Sequence, residues 1–357
     1  MTQTSYIACM MIRGGTSKGA YFLSDDLPKN ESQRNEFLVN VMGSGDNQQI
    51  NGIGGGTSLT SKVAIVSQSS EANVDLDYLF AQVGVEERIV DTKPSCGNIL
   101  SGIIAFASEN NLLPLTHPST TIRVKNINTN TIIEVSAETP QGVLQYEGDT
   151  TIDGVPGSGS PILLNFLNVG GAKTGKLFPT GQPSDIIEGV EVSCIDAAVP
   201  MVHIVAKDLG IAGNESKQEL DENALLLAKI ETIRIIAGEL MGLGDVRGSV
   251  LPKVSLLSPA TQGGHITSRY FVPQNCHASH AVTGAICIAA ACNLSGTVAS
   301  KVVDTITSET VVIEHPSGKI EVNIQIEKGL KEPIISQAAL VRTARPLFKG
   351  HVYSKAL

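Results

Sequence analysis

Two segments in the first half of this chain each have a similar copy 182 residues later, and this repeat limits the folds that the chain can adopt. SGIIA at residues 101–105 aligns with TGAIC at residues 283–287, an offset of 182 residues. Other aligned pairs are residues 21–27 with 203–209 at the same offset, and residues 61–66 with 252–257 at an offset of 191. Two agreements at one offset favour a duplicated unit of about 180 residues.

Each copy of this unit contains many short strands and few helices. Segments rich in Val, Ile, Thr and Tyr, separated by Gly, Asn, Asp or Pro, predict strands. They lie at residues 6–12, 20–23, 63–67, 74–83, 120–126, 131–135, 142–146, 161–166, 191–195, 201–206, 254–257, 266–272, 310–313, 319–326 and 340–345. Helices are predicted at residues 97–110, 223–240 and 282–292. The first and third helices are apolar on nearly all sides, which is typical of buried helices. The pattern predicts an α+β fold.

The repeat and the length both indicate two domains. A chain of 357 residues fits two domains at about 150 residues each. We expect an N-terminal half over residues 1–184 and a C-terminal half over residues 185–357, divided in a Gly-, Pro- and Ser-rich stretch. The last strand, about residues 340–357, could return to the first half. Each half should form a curved sheet around a buried helix, with the active site in the cleft between the halves.

Composition excludes several classes of protein. Hydrophobic residues make up 42% and charged residues 17%, so the chain can form large cores and is not mainly disordered. The net charge is −9 without a basic cluster, which argues against nucleic-acid binding. No apolar run reaches the roughly 20 residues of a membrane helix, and no signal peptide is recognisable. Six irregularly spaced cysteines fit free thiols in the cytoplasm.

Cys96 is a candidate nucleophile or base. It stands immediately before the predicted helix at residues 97–110, where unpaired N–H groups and the helix dipole would stabilise a thiolate. A buried structural cysteine is an equally good interpretation of the local sequence. The other five cysteines lie mostly in apolar contexts that favour a structural role.

Two glycine-rich segments could bind an anion. The first, GIGGGTSLTSK at residues 52–62, exposes backbone amides of the kind that form anion-binding nests and ends in Lys62. The second, RGGTSKG at residues 13–19, combines two cations with two hydroxyl groups, which suits carboxylates. Neither has the spacing of a nucleotide-binding loop. The alternatives are an exposed lysine at a strand edge for Lys62, and a glycine-rich turn with solvated charges for the second segment.

The segment CHASH at residues 276–280 precedes the third predicted helix. Its three potential ligands are too few for a zinc site without a second cluster, so no metal is expected. His280 lies opposite Asn98 in the repeat, which favours a hydrogen bond to a substrate. A hydrolase that uses Cys96 and His280 is a further alternative.

At these residues the sequence resembles the PrpF-type isomerase family, which has the diaminopimelate-epimerase fold. The resemblance is carried by seven segments that span nearly the whole chain. They are MIRGGTSKGAYFLSDDLP (11–28), GIGGGTSLTSKVAIV (52–66), DYLFAQV (77–83), PSCGNILSG (94–102), DGVPGSGSPI (153–162), TGKLFPTG (174–181) and HAVTGA (280–285). Within the family, the sequence is most similar to the 4-oxalomesaconate tautomerases.

The resemblance implies a 1,3-proton shift without a cofactor in a small unsaturated polycarboxylate. It places the catalytic pair at Lys62 and Cys96. The second half has no cysteine at the matching helix start, which argues against a two-cysteine epimerase. The residues expected to bind the substrate are Arg13, Thr16, Ser17, Lys18, Gly55, Gly56, Thr57, Ser58, Gly97, Asn98 and His280.

The expected substrate is 4-oxalomesaconate, an intermediate of aromatic-acid breakdown, with keto–enol tautomerisation and allylic double-bond migration both open. Aconitate and 3-methylitaconate are the alternatives within the family. A cysteine-dependent hydrolase and a non-catalytic anion-binding protein are more distant alternatives. We expect a small-molecule substrate and no nucleic-acid or membrane partner, and the resemblance is compatible with a homodimer.

Overall fold

The computed structural model describes residues 5–272, 275–327 and 333–354. The strands are β1 (Ser5–Gly14), β2 (Ser17–Leu23), β3 (Lys62–Gln68), β4 (Leu76–Val83), β5 (Val90–Asp91), β6 (Ser119–Asn126), β7 (Thr131–Glu138), β8 (Ile162–Leu167), β9 (Asp185–Ile187), β10 (Val190–Ala197), β11 (Val199–Val205), β12 (Lys253–Pro259), β13 (Ile266–Phe271), β14 (Thr310–His315), β15 (Gly318–Glu327), β16 (Ile334–Arg342) and β17 (Ala344–Ser354). The α-helices are α1 (Glu31–Met42), α2 (Gly97–Leu100), α3 (Ile103–Glu109), α4 (Lys217–Asp221), α5 (Ala224–Leu240) and α6 (Val282–Asn293).

The chain forms two compact units. The first contains the residues up to Leu164 and those from Val341 onward, and the second contains Asn165–Leu340. The expected boundary after residue 184 therefore falls inside the second unit. The reason is Asp196 in β10, whose carbonyl accepts from Gly171 N at 2.7 Å and whose carboxylate accepts from Lys173 N at 2.8 Å. These bonds attach the glycine-rich stretch to the second sheet.

The first unit is built on a mixed sheet. β1 pairs antiparallel with β2 and with β17, so the last strand of the chain lies in the first unit. β2 pairs parallel with β3, β3 antiparallel with β4, β4 parallel with β6, and β6 antiparallel with β7. The two parallel pairs require long connections, and these contain the helices.

The second unit repeats this pairing pattern. β10 pairs antiparallel with β9 and β11, β11 parallel with β12, β12 antiparallel with β13, β13 parallel with β14, and β14 antiparallel with β15. The register matches as well, since Gly19 opposes Lys62 in the first unit and Met201 opposes Lys253 in the second. The residues in these two pairs differ by the offsets of 182 and 191 seen in the sequence. The chain therefore has an α+β fold of two similar halves, as the repeat predicts.

In the first unit, helices cover both faces of the sheet. Alternate residues of a strand point to opposite faces, and β2 shows this clearly. Tyr21 packs against Phe106 of α3, with ring centroids 5.8 Å apart, whereas Phe22 packs edge-on against Phe37 of α1 at 5.8 Å. The helix after Cys96 is thus on the face to which the odd-numbered residues of β2 point.

The helix predicted at residues 97–110 is interrupted, and this part of the prediction is wrong. It consists of α2 and α3, with a turn at Ser101 and Gly102. At the break, the Ile99 carbonyl accepts from Gly102 N at 3.0 Å and also from the Tyr21 hydroxyl. An extra donor inserted into the helical hydrogen-bond ladder is a known cause of such kinks. The helix predicted at residues 282–292 is continuous as α6, and residues Val282–Cys292 are all buried.

Two further predictions differ from the structure. The segment at residues 142–146 is not a strand, because Gln141 and Gly142 adopt positive φ angles of 57° and 75° and end the preceding pairing in a turn. Helix α1 was not predicted. Its signals are Asn30, whose side chain accepts from Gln33 N at 3.1 Å, and Gly43, which ends the helix in the left-handed conformation.

No helix in the described part of the chain is long and apolar enough to cross a membrane.

Candidate active site

Lys62 is a buried lysine at the first position of β3, only 9% exposed. Its Nζ donates to Gln82 Oε1 at 2.6 Å and lies 5.1 Å from the centre of the Phe80 ring. The Gln82 amide nitrogen donates to the carbonyls of Ser61 and Ser58, at 2.8 and 3.2 Å, which turns the amide oxygen toward the lysine. Burial lowers the pKa of Lys62 below its ordinary value, because desolvation disfavours the ammonium form.

Cys96 lies immediately before α2 and is the accessible thiol of the chain. It is half-buried, whereas the other five cysteines are buried. Its carbonyl accepts from Leu100 N at 3.0 Å and from the Tyr78 hydroxyl at 3.0 Å, which fixes the backbone at the start of the helix. Helix α2 is a single turn and Cys96 makes no side-chain capping hydrogen bond to it, so the dipole expected from a longer helix does not act on the thiol.

The structure brings Lys62 and Cys96 together within the first unit. Helix α2 packs against β3, the strand that begins with Lys62. Negative charge on Cys96 opposes the lowering of the Lys62 pKa, and it adds to burial in raising the pKa of Tyr78. The charge of one side chain therefore affects the pKa of the other, as is required of two groups that act as a proton-transfer pair.

The turn between β1 and β2 supplies several polar groups. Arg13 donates to the Thr343 carbonyl at 2.5 Å and to its hydroxyl at 2.8 Å. Thr16 Oγ1 accepts from Asn98 Nδ2 at 3.1 Å, so the turn is tied to the second residue of α2. The Ser17 hydroxyl is buried and has no hydrogen-bond partner among the described residues. A buried hydroxyl without a partner is uncommon and is available to a ligand.

The charge around this turn is positive. Arg13 and Lys18 are opposed across β1 and β2. Burial lowers the pKa of Arg13, and the nearby Arg345 lowers it further. Among the described residues, neither Arg13 nor Lys18 forms an ion pair with a carboxylate. Such a region favours anions even in a chain of net negative charge.

The glycine-rich loop is held together by its own hydrogen bonds. Gln49, 1% exposed, accepts from Gly56 N at 3.0 Å, and Thr60 Oγ1 accepts from Thr57 N at 3.3 Å. Two of the amides expected to bind carboxylates in the segment from Gly55 to Ser58 are therefore occupied within the loop. Contact of the other two with a substrate stays a prediction.

His280 lies in the second unit, two residues before α6. It is 1% exposed, its Nδ1 donates to the Ala281 carbonyl at 2.9 Å, and its Nε2 lies 3.2 Å from Ser268 Oγ. A carbonyl can only accept, so in the neutral ring Nε2 accepts from the serine hydroxyl. Its role in substrate binding stays a prediction.

In the described parts of the chain, no group of three or more His, Cys, Asp or Glu side chains is placed to hold a metal ion.

Three residues of the site escaped the sequence analysis, namely Gln82, Tyr78 and Arg342. Gln82 and Tyr78 lie in β4, opposite β3, and only the strand register shows that Gln82 faces Lys62. Arg342 Nε donates to Asn98 Oδ1 at 3.2 Å across 244 positions of sequence. No local motif signals so distant a contact. The signals present were the strand pattern in β4 and two arginines, Arg342 and Arg345, within the strand predicted at residues 340–345.

Comparison with known proteins provides three relatives that extend over almost the whole chain. The sequence is 50% identical to YbhH of Escherichia coli K12, a protein named as an isomerase without a stated substrate, over 97% of this chain and 99% of that one. It is 46% identical to the 4-oxalomesaconate tautomerase of Pseudomonas putida, over 97% and 95% of the two chains. It is 43% identical to the (4E)-oxalomesaconate Delta-isomerase of Novosphingobium sp. KA1, over 97% and 96%.

Solved structures agree with this relationship. The fold matches a crystal structure of methylitaconate-delta-isomerase with a TM-score of 0.80 at 33% identity, covering 99% of this chain and 96% of that one. A hydroxyproline epimerase from Agrobacterium vitis shares the fold at a TM-score of 0.61 with 9% identity, covering 99% and 94%. The fold and these relatives define the chain as an isomerase of the diaminopimelate-epimerase-like fold. The sequence model of the PrpF protein family matches residues 4–355. The chain belongs to the PrpF family.

Proposed function

We propose that this protein catalyses a cofactor-independent 1,3-proton shift in 4-oxalomesaconate. The observation that carries the proposal is the buried Lys62 beside the accessible Cys96, within one unit of the fold. The choice of substrate is supported by the two relatives named for oxalomesaconate, at 46% and 43% identity. Keto–enol tautomerisation and double-bond migration share the first step and differ in where the proton returns.

The chemistry needs a base, an acid and positive charge. Removing a proton from carbon next to a carbonyl group, or conjugated with one, leaves an enolate. Fixed positive potential stabilises that developing charge. Burial lowers the pKa of Lys62, so its neutral amine is more populated near neutral pH than that of an exposed lysine. Arg13 and Lys18 contribute positive charge beside the substrate.

Two assignments of the pair fit this geometry. In one, Lys62 removes the proton as the neutral amine and the Cys96 thiol returns a proton. In the other, Cys96 acts as thiolate base and the Lys62 ammonium is the acid. In both cases one residue has gained a proton and the other has lost one at the end of the cycle. Proton exchange of Lys62 and Cys96 with solvent then restores the starting state.

Proton NMR in D2O with purified protein tests the proposal. We expect deuterium incorporation and isomerisation of 4-oxalomesaconate, with aconitate and 3-methylitaconate as comparison substrates. Cys96→Ser and Lys62→Met should each lower turnover by about 10³-fold, the scale of losing a positioned acid or base. Lys29→Met, an exposed lysine, is the matched control and should retain full activity.

The same variants separate the two assignments. If Lys62 is the base, Cys96→Ser will still exchange the substrate proton for deuterium without completing isomerisation, and Lys62→Met will do neither. The reverse pattern identifies Cys96 as the base. Turnover of aconitate or methylitaconate alone would reject the proposed substrate. An acyl adduct on Cys96 by mass spectrometry would support the hydrolase alternative, and ligand binding without turnover would support an anion-binding protein.

A further inference from the structure

Arg342, the last residue of β16, is a buried guanidinium with few partners. It is 6% exposed. Its Nε donates to Asn98 Oδ1 at 3.2 Å, and one terminal nitrogen donates to the Val341 carbonyl at 2.8 Å. A guanidinium carries five N–H donors. Both terminal nitrogens therefore retain donors after these two bonds.

No carboxylate of the described residues pairs with Arg342. Burial alone lowers its pKa to about 10, and no negative group opposes that shift. Taking a cation out of water without a counter-charge is expensive. A protein that keeps such a group therefore gains something from it in another state, such as the ligand-bound state.

Arg234 in the second unit shows how this chain satisfies a structural arginine. It is 1% exposed, and Glu231 accepts from its Nε at 2.7 Å and from a terminal nitrogen at 2.8 Å. Its remaining donors are directed to three backbone carbonyls, those of Val246, Ser249 and Leu251. Arg342 has no equivalent of Glu231. Arg269, also buried and without an ion pair among the described residues, has the charges of Glu215 and Glu314 opposing the effect of burial on its pKa, and no such charge acts on Arg342.

Arg342 is also tied to the helix that follows Cys96 and to the β1–β2 turn. Its partner Asn98 is two residues after Cys96 and holds Thr16 through its amide nitrogen. A Cβ atom at Gly15 would lie 3.2 Å from Arg342 Cδ, so the β1–β2 turn packs directly on the arginine side chain. Two residues further along that turn is the unpartnered hydroxyl of Ser17.

We infer that Arg342 binds one carboxylate of the substrate through its two terminal nitrogens, with Asn98 setting the orientation of the guanidinium. The inference rests on the proposed function to the extent that the ligand is a polycarboxylate. A planar carboxylate fits the guanidinium fork and supplies the missing negative charge. Arg342 thereby positions the substrate beside Cys96, and the proton transfers remain with Lys62 and Cys96.

Calorimetric titration with tricarballylate, a saturated tricarboxylate that has no double bond to move, tests this directly. We expect Arg342→Gln to weaken its binding by about 100-fold, and Arg342→Lys by about 10-fold because the charge is kept without the fork. Arg247→Gln, an exposed arginine paired with Asp245 in the second unit, should bind as the native chain does. Equal affinity of native protein and Arg342→Gln would overturn the inference.

Thermal unfolding distinguishes a binding role from a structural one. Without ligand, Arg342→Gln should unfold at the native temperature or above it, because an uncompensated buried charge has been removed. Arg234→Gln should unfold at a lower temperature, because Glu231 loses its partner. Stabilisation of the native chain by tricarballylate should be absent in Arg342→Gln. A lowered unfolding temperature with undiminished stabilisation by tricarballylate would show Arg342 to be structural and overturn the inference.

Failure of this inference can be told apart from failure of the proposed function. Arg342-dependent binding of tricarballylate without turnover of oxalomesaconate would overturn the function and retain the site. Turnover of oxalomesaconate with an unchanged KM in Arg342→Gln would retain the function and overturn the site. If both substitutions prevent folding, a crystal structure of the native chain with tricarballylate decides. A carboxylate about 3 Å from both terminal nitrogens supports the site, and a carboxylate bound elsewhere overturns it.

Discussion

Gln82 is the hydrogen-bond partner that positions Lys62, the candidate catalytic lysine. Its amide oxygen accepts from Lys62 Nζ at 2.6 Å, and its own nitrogen is occupied by the Ser61 carbonyl at 2.8 Å. Burial lowers the pKa of Lys62 and negative charge on Cys96 opposes that shift; an acceptor oxygen on the ammonium group should act in the same direction as Cys96. Without this acceptor, burial should lower the pKa of Lys62 further.

We therefore predict that Gln82→Met lowers the pKa of Lys62 further. A hydrogen bond to a charged group contributes about 1.5–3 kcal/mol, which corresponds to roughly one to two pH units. The limb of the kcat/KM profile that reports Lys62 should shift to lower pH by about that amount. Gln33→Met, on an exposed position of α1, should leave the profile unchanged. A Gln82→Met enzyme with the native profile would show that another group sets this limb.

At the scale of elements, the break between α2 and α3 places Gly102 directly against Tyr21. A Cβ atom at Gly102 would lie 2.3 Å from the Tyr21 hydroxyl oxygen, closer than any real contact. The φ angle of Gly102 is −83°, which every residue can adopt, so the requirement is steric and not conformational. Helix α6 of the second unit is continuous, but it also packs closely at a glycine, since a Cβ at Gly284 would lie 2.4 Å from the Tyr270 ring.

We predict that Gly102→Ala destabilises the protein by about 1–3 kcal/mol, the usual effect of overpacking a filled core. Urea unfolding measures the free energy, with Gly170→Ala as the control. At Gly170 an added Cβ would meet only Leu177, at 3.8 Å, so its stability should stay near the native value. Tyr21→Phe in the Gly102→Ala background should recover part of the loss. Native stability in Gly102→Ala would mean that α3 can shift away from β2 without loss.

The elements that the sequence predicts well are those whose signal is local. The Val- and Ile-rich run of β3 and the continuous apolar pattern of α6 follow from consecutive residues, and both elements are confirmed. The break after Leu100 depends on a hydroxyl in β2, about 80 positions away, and no local pattern contains it. Cys96 was a candidate from its position before a predicted helix, and the family resemblance paired it with Lys62. Arg342 has no such motif, because its partner Asn98 reaches it only in the folded chain.

At the scale of the whole molecule, duplication has preserved the framework and changed the chemistry. Lys62 and Lys253 hold the same register position in the two units, and both are buried. Cys96 has no counterpart before α6, where Ala281 is the cap residue. Tyr21 corresponds to His203 in the second unit. The Tyr21 hydroxyl donates to Ile99 at the break between α2 and α3, whereas His203 forms a hydrogen bond with Ser255 in the core. The first unit therefore carries the candidate proton-transfer pair, and the second carries buried polar groups that affect stability.

His203 makes the folded chain sensitive to acid. The ring is fully buried, with Nδ1 2.7 Å from Ser255 Oγ and Nε2 3.4 Å from Cys287 Sγ. Burial lowers its pKa from 6.5 to about 3. In the unfolded chain the ring takes up a proton below pH 6.5, whereas the folded chain cannot do so until about pH 3. Stability must therefore fall as the pH is lowered through this window, by up to about 1.4 kcal/mol per pH unit.

Replacing the ring with a side chain that does not titrate should remove this part of the acid sensitivity. We predict that His203→Gln is less stable than the native chain at pH 7, because the core packing changes, yet loses less stability between pH 6.5 and pH 5. Urea unfolding at half-unit pH intervals measures the slope. His351→Gln, at an exposed position of β17, should keep the native slope. If His203→Gln also keeps it, protonation of other groups must account for the acid sensitivity, and the buried ring is not its source.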